Sequence, residues 1–304
     1  MISAPVSRDC PVCGGQQAQA YLQKGELRLV CCRACSMIYA NPAPAEFASG
    51  QYYDRAGTDY YLSPAKLESD YAAVRFEREL RVFRKDCPGG AVLDVGCSSG
   101  AFLFQLNQRF PGCYQILGTD VSGPPLDYAE GRGVAVVRGN FLEQEFGEKR
   151  FDVVTFWAVV EHLLDPKLFL AKAWSVLKPD GLCFVLVPNM KSLAERVLGA
   201  RYRYIYPQHL NYFTQATLKK LVESQFSVVE FSSTHFNPIV MWQDWRGGGK
   251  DISNRERAEL LQRTTAYKQN PLLKPAKTLY KVAEKTLGSL NLADNLVVVL
   301  RKKA

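Results

Sequence analysis

The sequence predicts an α/β protein built on a mostly parallel β-sheet with helices on both faces. From residue 91 onward, short apolar segments alternate with segments of helical spacing. The apolar segments are nearly continuous, which is typical of strands that are buried on both faces. One of them leads into a glycine-punctuated turn and a helix. Because ligands of such sheets bind beyond the carboxyl ends of the strands, we expect the functional residues where strands end.

Seven strands follow from this alternation, at residues 91–95, 115–119, 134–137, 151–156, 181–187, 227–232 and 296–300. Residues 177–181, Leu-Lys-Pro-Asp-Gly, predict the end of a helix and a turn into the fifth strand. Residues 64–86 have helical spacing, and residues 252–268 and 271–290 predict two further helices with many basic side chains. Neither internal repeats nor low-complexity tracts interrupt this pattern.

Length and composition limit the class of protein. With 304 residues, 47% of them apolar, the chain can form one large domain or one domain with additions. No apolar run approaches the roughly 18 residues that a membrane span needs. The first five residues lack the basic and apolar regions of a signal peptide. The expected location is therefore the cytoplasm, and any contact with a membrane would be peripheral.

Basic residues are concentrated towards the C-terminal end. The formal net charge is +8, and residues 191–304 contain 19 Lys and Arg against 9 Asp and Glu. This excess predicts an anionic partner: a nucleotide-linked substrate, a nucleic acid or an anionic lipid. A solvated helical surface or a contact between subunits explains the same charges, so the oligomeric state and the partner stay open at this stage.

Four cysteines near the N-terminus predict a zinc site. Cys10 and Cys13 form one C-x2-C pair, and Cys32 and Cys35 form a second pair after 18 intervening residues. Each tight turn presents two thiolates to one tetrahedral ion. Four thiolates leave no open coordination position, which indicates a structural zinc. Cys31 competes with Cys32 as a ligand, and free thiols or disulfides are the other interpretations.

The central motif of the chain is residues 92–100, Val-Leu-Asp-Val-Gly-Cys-Ser-Ser-Gly, which predict a strand, a turn and the start of a helix. Small residues let a ligand approach the backbone, and the N–H groups at the helix start would face it. Asp94, at the strand end, would repel a phosphate and attract a cation, which favours a cationic nucleoside over a dinucleotide. The stretch resembles motif I of class I S-adenosylmethionine (SAM)-dependent methyltransferases, with Ser98 where most members carry Gly.

This resemblance implies roles for further residues at strand ends. A carboxylate at the position of Asp120 accepts both ribose hydroxyls of the cofactor. Asn140 stands where the family usually has Asp, and its amide could still bind the adenine edge. Phe141 would stack on adenine or pack in the core, and Trp157 would line the methionine side. The expected SAM-binding residues are Asp94, Gly96, Cys97, Gly100, Asp120, Val121, Asn140, Phe141 and Trp157.

The resemblance also implies the topology. The sheet would be Rossmann-like and doubly wound, with seven strands in the order 3-2-1-4-5-7-6 and an antiparallel last strand. A zinc-ribbon-like module at residues 1–44 would precede a methyltransferase domain at residues 45–304. Within that domain, residues 45–90 would form a helical cover, and residues 190–213 and 233–290 would be insertions over the acceptor site.

The fourth strand ends in a first group of candidate catalytic residues, Glu161 and His162. In some quinone-pathway methyltransferases, a carboxylate three residues before this Glu completes a metal site. Ala158 occupies that position here, so we do not predict that metal site in this chain. For His162, a hydrogen bond that holds the loop is the alternative to a catalytic role.

A second candidate segment contains Tyr206 and His209. It resembles a loop of zinc-ribbon-bearing methyltransferases that act on sugars, including C-methylating members. Gln208 replaces the Glu of that loop, which argues against C-methylation. The change suits O-methylation, because a histidine can take a hydroxyl proton near neutral pH. The alternative for His209 is again a role in fixing the loop.

We therefore predict a SAM-dependent methyltransferase with a structural zinc. It would methylate a small-molecule acceptor, a sugar or another hydroxyl-bearing metabolite, with His209 as the base and Tyr206, Glu161 and His162 beside it. One alternative is an RNA methyltransferase that uses the ribbon and the basic surface, although the ribbon has few basic and aromatic residues. The other is a non-catalytic SAM-binding scaffold, which the intact glycine motif and Asp120 argue against.

Overall fold

The structure is a computed structural model that describes residues 5–48, 52–53, 57–148, 150–248, 253–270 and 274–304. The strands in this part of the chain are β1 (Ala18–Lys24), β2 (Leu27–Cys32), β3 (Ile38–Ala40), β4 (Gly90–Val95), β5 (Tyr114–Asp120), β6 (Val136–Arg138), β7 (Phe151–Trp157), β8 (Leu177–Pro188), β9 (Asn211–Tyr212), β10 (Phe226–Thr234) and β11 (Asn295–Lys302).

The helices in the same ranges are α1 (Ala45–Ala48), α2 (Pro64–Tyr71), α3 (Glu77–Asp86), α4 (Ala101–Arg109), α5 (Gly123–Gly131), α6 (Pro166–Val176), α7 (Leu193–Leu198), α8 (Gln215–Val222), α9 (Pro238–Gly247), α10 (Asn254–Gln269) and α11 (Lys274–Ser289). Short 3-10 turns occur at Phe141–Glu143, Val160–His162 and Gly199–Arg201, and a π-helical turn at Gly57–Tyr61.

The large sheet has seven strands in the order β10-β11-β8-β7-β4-β5-β6. In chain order within this sheet, that is the predicted 3-2-1-4-5-7-6. The strand β11 runs antiparallel to both of its neighbours, while β4, β5, β6, β7 and β8 are parallel. The predicted Rossmann-like topology is therefore confirmed, and the loops after the parallel strands meet at one edge.

Apolar side chains on both faces hold the large sheet in place. Leu93 of β4, Val154 and Phe156 of β7, and Phe184 and Val185 of β8 are fully buried. Each such side chain stabilises the fold by about 1.5–3 kcal/mol relative to its exposed state. The continuous apolar character that predicted these strands thus comes from helices covering both faces.

The strand β8 begins earlier than the sequence predicts. Phe151 pairs with Leu177, and Val153 pairs with Leu182, so the ladder skips the residues between them. Asp180 in that interval has a φ of 59°, a left-handed conformation typical of turns. The predicted turn is present, but it is a bulge inside β8 rather than a loop before the strand.

The small sheet has the order β1-β2-β3-β9 and is antiparallel throughout. Its first three strands come from the N-terminal module that the sequence predicts. The fourth strand, β9, comes from the end of the predicted 190–213 insertion. The N-terminal module and this insertion therefore share one sheet.

The insertion helices pack against the rest of the domain. Helix α10 contacts α2 and the π-helical turn, and α11 contacts β10. Arg203 in the 190–213 insertion forms an ion pair with Asp244 of α9 at 2.6 Å. Within the described residues, no helix is both long enough and apolar enough to cross a membrane.

Candidate active site

The turn after β4 can be built only with glycine at two positions. Gly96 and Gly100 have φ values of +74° and +73°. A Cβ on Gly96 would lie 2.5 Å from the Val159 side chain, and one on Gly100 would lie 2.8 Å from the Ala129 side chain. Ser98 also has a positive φ, 50°, which explains why the related motif favours glycine there.

Hydrogen bonds within the protein already use most N–H groups of this turn. Those of Gly96 and Cys97 donate to the Thr119 carbonyl (2.8 and 3.1 Å), and that of Gly100 donates to the Cys97 carbonyl (2.9 Å). The Ser98 N–H donates to Asp120 Oδ2 (2.8 Å). The turn is therefore fastened to the end of β5, and the N–H groups left for a ligand are those of Ser99 and of the first turn of α4.

Asp94, which is buried, and Asp120, which is half-buried, are carboxylates at the ends of neighbouring strands. The Thr155 hydroxyl donates to Asp94 Oδ1 (2.6 Å), and the Ser122 N–H donates to Asp120 Oδ1 (3.0 Å). Burial raises the pKa of Asp94 to about 7 and also raises the pKa of Asp120. No described cationic side chain forms an ion pair with either. This arrangement suits a ligand that brings a positive charge and hydroxyl donors.

The other side chains expected to bind SAM lie at or just after the carboxyl ends of the parallel strands, and they differ in burial and in their contacts. Val121 is exposed, and Asn140 accepts a hydrogen bond from the Leu142 N–H (3.1 Å) and so caps a 3-10 turn. The Cys97 thiol is buried beside Gly118. Trp157 packs on Phe102 with ring centroids 5.1 Å apart.

Phe141 lies in the core. It is 3% exposed, and its ring packs against those of Phe146, Phe156 and Phe169. This is the packing role that the sequence left open. Stacking of Phe141 on adenine stays a prediction.

Glu161, His162 and His209 come together in one cluster, although the two histidines are 47 positions apart in the chain. One ligand atom from each lies within 4.8 Å of the others. Glu161 Oε1 is 3.9 Å from His162 Nε2 and 4.0 Å from His209 Nε2. Among the residues that the structure describes, neither oxygen of Glu161 has a hydrogen-bond partner. The cluster is therefore an unpaired carboxylate that faces two imidazoles.

Backbone carbonyls fix the tautomers of both histidines. His162 Nδ1 lies 2.8 Å from the Gln208 carbonyl, and His209 Nδ1 lies 2.9 Å from the Tyr204 carbonyl. Because a carbonyl can only accept, each Nδ1 carries the proton and each Nε2 presents a lone pair. The two Nε2 atoms and the carboxylate could accept a proton or hold a divalent cation.

Burial sets the protonation states of this cluster. It lowers the pKa of His162 to about 4 and the pKa of His209 well below its usual range. It raises the pKa of Glu161 to about 8. Both imidazoles are consequently neutral at physiological pH, and Glu161 is close to its point of half-ionisation.

Further side chains from three segments contact this cluster or its flanking loop. The Tyr206 ring centroid is 4.3 Å from that of His209. The Tyr53 hydroxyl lies 2.7 Å from His162 Nδ1. Arg257 of α10 donates to Gln208 Oε1 and to the Tyr206 hydroxyl, both at 3.3 Å. The sequence contains no signal for Arg257, and it indicates Tyr53 only as one of a pair of tyrosines.

The four predicted zinc ligands form a second cluster. The sulfur atoms of Cys10 and Cys35 are 3.4 Å apart, those of Cys13 and Cys32 are 3.5 Å apart, and all four lie within 4.8 Å of one another. A tetrahedral zinc with Zn–S bonds of about 2.3 Å needs sulfurs about 3.8 Å apart. Cys31 lies outside the cluster, because neighbouring side chains of β2 point to opposite faces.

The small sheet joins this cysteine cluster to the histidine cluster. In the β3–β9 pair, Tyr39 is opposite Asn211, two residues after His209. Arg8, two residues before Cys10, donates to the carbonyls of Leu210 and Leu164 and to the Asn211 side chain. The position of His209 therefore depends on the fold of the N-terminal module.

The sheet topology, the glycine turn and the paired carboxylates define a SAM-dependent methyltransferase. The chain belongs to the methyltransferase domain family, whose profile matches residues 69–230. It is similar to two enzymes named ubiquinone biosynthesis O-methyltransferase. The one from Bradyrhizobium diazoefficiens is 35% identical over 167 residues, 51% of this chain and 64% of that protein. The one from Rhodopseudomonas palustris is 28% identical over 64% of this chain and 85% of that protein.

Solved structures share the fold at low sequence identity. A Thermotoga maritima SAM-dependent methyltransferase, described as a possible histamine N-methyltransferase, aligns with a TM-score of 0.50 and 16% identity over 85% of this chain and 98% of that one. The [4+2]-cyclase SpnF aligns with a TM-score of 0.53 and 14% identity over 86% of this chain and 97% of that one. These likenesses concern the fold alone.

We expect SAM to bind about tenfold more weakly at pH 6 than at pH 8. Burial raises the pKa of Asp94 to about 7, so only about one tenth of the protein has this carboxylate ionised at pH 6. A cationic ligand prefers the ionised form. Calorimetric titrations with SAM at pH 6, 7 and 8 measure the effect, and Asp94→Asn should bind weakly without this pH dependence. Equal affinity of the wild type at the three pH values would contradict the prediction.

Proposed function

We propose that this protein transfers the methyl group of SAM to a hydroxyl group of a small-molecule acceptor, a sugar or another hydroxyl-bearing metabolite. The observation that carries the proposal is the neutral imidazole of His209, whose Nε2 lies 4.0 Å from Glu161, a carboxylate without a hydrogen-bond partner among the described residues. The names of the two bacterial relatives support O-methylation. Gln208, in place of the Glu of C-methylating enzymes, supports the same reaction.

In this proposal, the cofactor-binding residues are those expected from the motif: Asp94, Gly96, Cys97, Gly100, Asp120, Val121, Asn140, Phe141 and Trp157. Bound SAM supplies an electrophilic methyl group on a cationic sulfur. Asp94 compensates that positive charge, and Asp120 accepts the ribose hydroxyls. Catalysis comes mainly from holding the acceptor oxygen in line with the methyl group, because such positioning supplies much of the rate enhancement of two-substrate reactions.

His209 accepts the hydroxyl proton at Nε2. Its low pKa keeps the imidazole neutral but also makes it a weak base. Glu161 compensates, because its carboxylate, 4.0 Å from Nε2, stabilises the imidazolium that forms. Tyr206, packed on the imidazole, orients the acceptor hydroxyl, and His162 holds the loop through the Gln208 carbonyl.

We also propose that Cys10, Cys13, Cys32 and Cys35 hold a structural zinc. The sulfur separations are close to those of a tetrahedral thiolate site. All nine cysteines are free thiols, so no disulfide competes for these sulfurs. With four thiolates, the ion would have no position for a substrate.

Replacing Asp120 with Ala should weaken the binding of SAM and of S-adenosylhomocysteine by about 100-fold or more. Two hydrogen bonds to a charged acceptor are lost, each worth about 1.5–3 kcal/mol. Calorimetric titration of the zinc-loaded protein measures the loss. Asp127→Ala is the matched control, because Asp127 is an exposed carboxylate nearby on α5. Tight binding of SAM by Asp120→Ala would contradict the assignment of Asp120 to the ribose hydroxyls.

Transfer of a labelled methyl group from SAM tests the reaction itself. A panel of nucleotide sugars, free sugars and catechols should contain a substrate whose product carries an O-methyl group. Methylation of RNA alone would replace the proposal with the nucleic-acid alternative. If a folded, zinc-loaded protein bound neither SAM nor S-adenosylhomocysteine, the enzyme interpretation would fail.

A further inference from the structure

Arg257 extends from α10 towards the candidate acceptor site and lies between two aromatic rings. Its guanidinium carbon is 4.8 Å from the ring centroid of Tyr60 and 5.0 Å from that of Tyr206. Its two hydrogen bonds go to neutral groups, Gln208 Oε1 and the Tyr206 hydroxyl, and both measure 3.3 Å. Two segments, one with Tyr60 and one with Tyr206 and Gln208, thus fix the plane of this cation.

Within the described ranges, no Asp or Glu forms an ion pair with Arg257. Two other arginines of the insertions do have such partners: Arg203 pairs with Asp244 at 2.6 Å, and Arg255 pairs with Glu259 at 3.0 Å. Arg257 is half-buried, and a guanidinium that is partly withdrawn from water without an anion loses part of its hydration energy. It also keeps N–H donors beyond the two that are used here. The positive charge of Arg257 is therefore left without a counter-charge among the described residues.

This cation lies beside the groups that would perform the reaction. Tyr206, which contacts the guanidinium, also packs on His209 with ring centroids 4.3 Å apart. On the other side, the guanidinium contacts the ring of Tyr60. Arg257 therefore lies next to the candidate base, through its contact with Tyr206.

We propose that Arg257 forms an anion subsite that binds a carboxylate or phosphate group of the acceptor. The inference rests on the proposed function only in assigning this region to the acceptor. A planar guanidinium can bind either group through two parallel hydrogen bonds, and a fixed plane favours that geometry. The bound anion supplies the missing counter-charge and holds the acceptor hydroxyl next to His209.

The test uses two simple probes, inorganic phosphate and benzoate. Each is titrated by calorimetry, at constant ionic strength, into the full chain loaded with zinc and S-adenosylhomocysteine. The wild type should bind at least one probe saturably, and Arg257→Gln should weaken that binding at least tenfold. Arg257→Lys should retain part of it. Arg255→Gln is the control, because Arg255 lies on the same helix with its side chain 88% exposed.

The comparison of the two probes identifies the preferred anion. No saturable binding of either probe to the wild type, or unchanged binding by Arg257→Gln, would overturn the proposal. Binding of S-adenosylhomocysteine is measured on the same samples and shows that each variant is folded. Its absence from the wild type would count against the proposed function, whereas its presence without anion binding would count against the subsite alone.

Discussion

Replacing Cys32 with serine should release zinc and unfold the small sheet, whereas replacing Cys31 with serine should leave both intact. The two residues are neighbours in β2, but only the sulfur of Cys32 lies in the four-cysteine cluster. Serine lacks the thiolate that binds zinc, and the three remaining ligands cannot close the tetrahedral site. Zinc content per chain and thermal unfolding measure the two outcomes.

The expected effect is large because zinc binding and folding are coupled in small thiolate modules. Structural zinc stabilises such modules by about 10–16 kcal/mol in apparent free energy at neutral pH. The small sheet also buries Leu27, Leu29 and Ile38, each worth about 1.5–3 kcal/mol, so the loss of zinc should remove a large part of its stability. Loss of zinc from Cys31→Ser, or retention of a full zinc complement by Cys32→Ser, would contradict the proposed ligand set.

Cys32→Ser should also lose most methyl-transfer activity, although Cys32 is not among the residues expected to bind SAM. Unfolding the small sheet removes the pairing of β3 with β9 and the hydrogen bonds from Arg8 to the Leu210 segment. These contacts hold the backbone directly after His209. Binding of S-adenosylhomocysteine should change little, because the glycine turn and Asp120 belong to the large sheet. Cofactor binding without turnover would thus indicate a displaced catalytic loop.

The predictable parts of this protein are encoded in short stretches of sequence. The parallel strands could be located because both of their faces are buried, so apolar residues are continuous in β4, β7 and β8. The cysteine spacing identified the cluster because each pair lies in one tight turn. Gly96 and Gly100 could be singled out because the turn excludes any side chain at those positions.

The unpredicted parts depend on contacts between distant segments. The strand β9 has only two residues, and nothing in Asn211 or Tyr212 indicates a pairing with the N-terminal module. Arg257 is one of many basic residues in α10, and only the folded chain distinguishes it from Arg255. Likewise, the approach of His209 to His162 follows from two separate loops that meet at one edge of the large sheet.

Replacing His209 with alanine should reduce kcat by about 10²–10⁴-fold, the usual contribution of a general base. The Nε2 lone pair is lost, while Asp94, Asp120 and the glycine turn are untouched, so the affinity for SAM should stay within a few-fold. Initial rates with the substrate found in the acceptor panel, together with SAM calorimetry, separate the two effects. His235→Gln is the control, because that histidine pairs with Glu79 away from this cluster.

The pH dependence of kcat/KM then separates the roles of His209 and Glu161. Because the pKa of His209 lies well below its usual range, this residue stays neutral between pH 6 and 9 and contributes no change in rate there. The pKa of Glu161 is about 8, so the rate should rise as this carboxylate ionises and stabilises the imidazolium. With SAM at saturating concentration, so that the pH dependence of its affinity does not contribute, Glu161→Gln should flatten that rise. Wild-type turnover by His209→Ala would remove the base assignment but not the methyltransferase class, since the cofactor carboxylates lie on other strands.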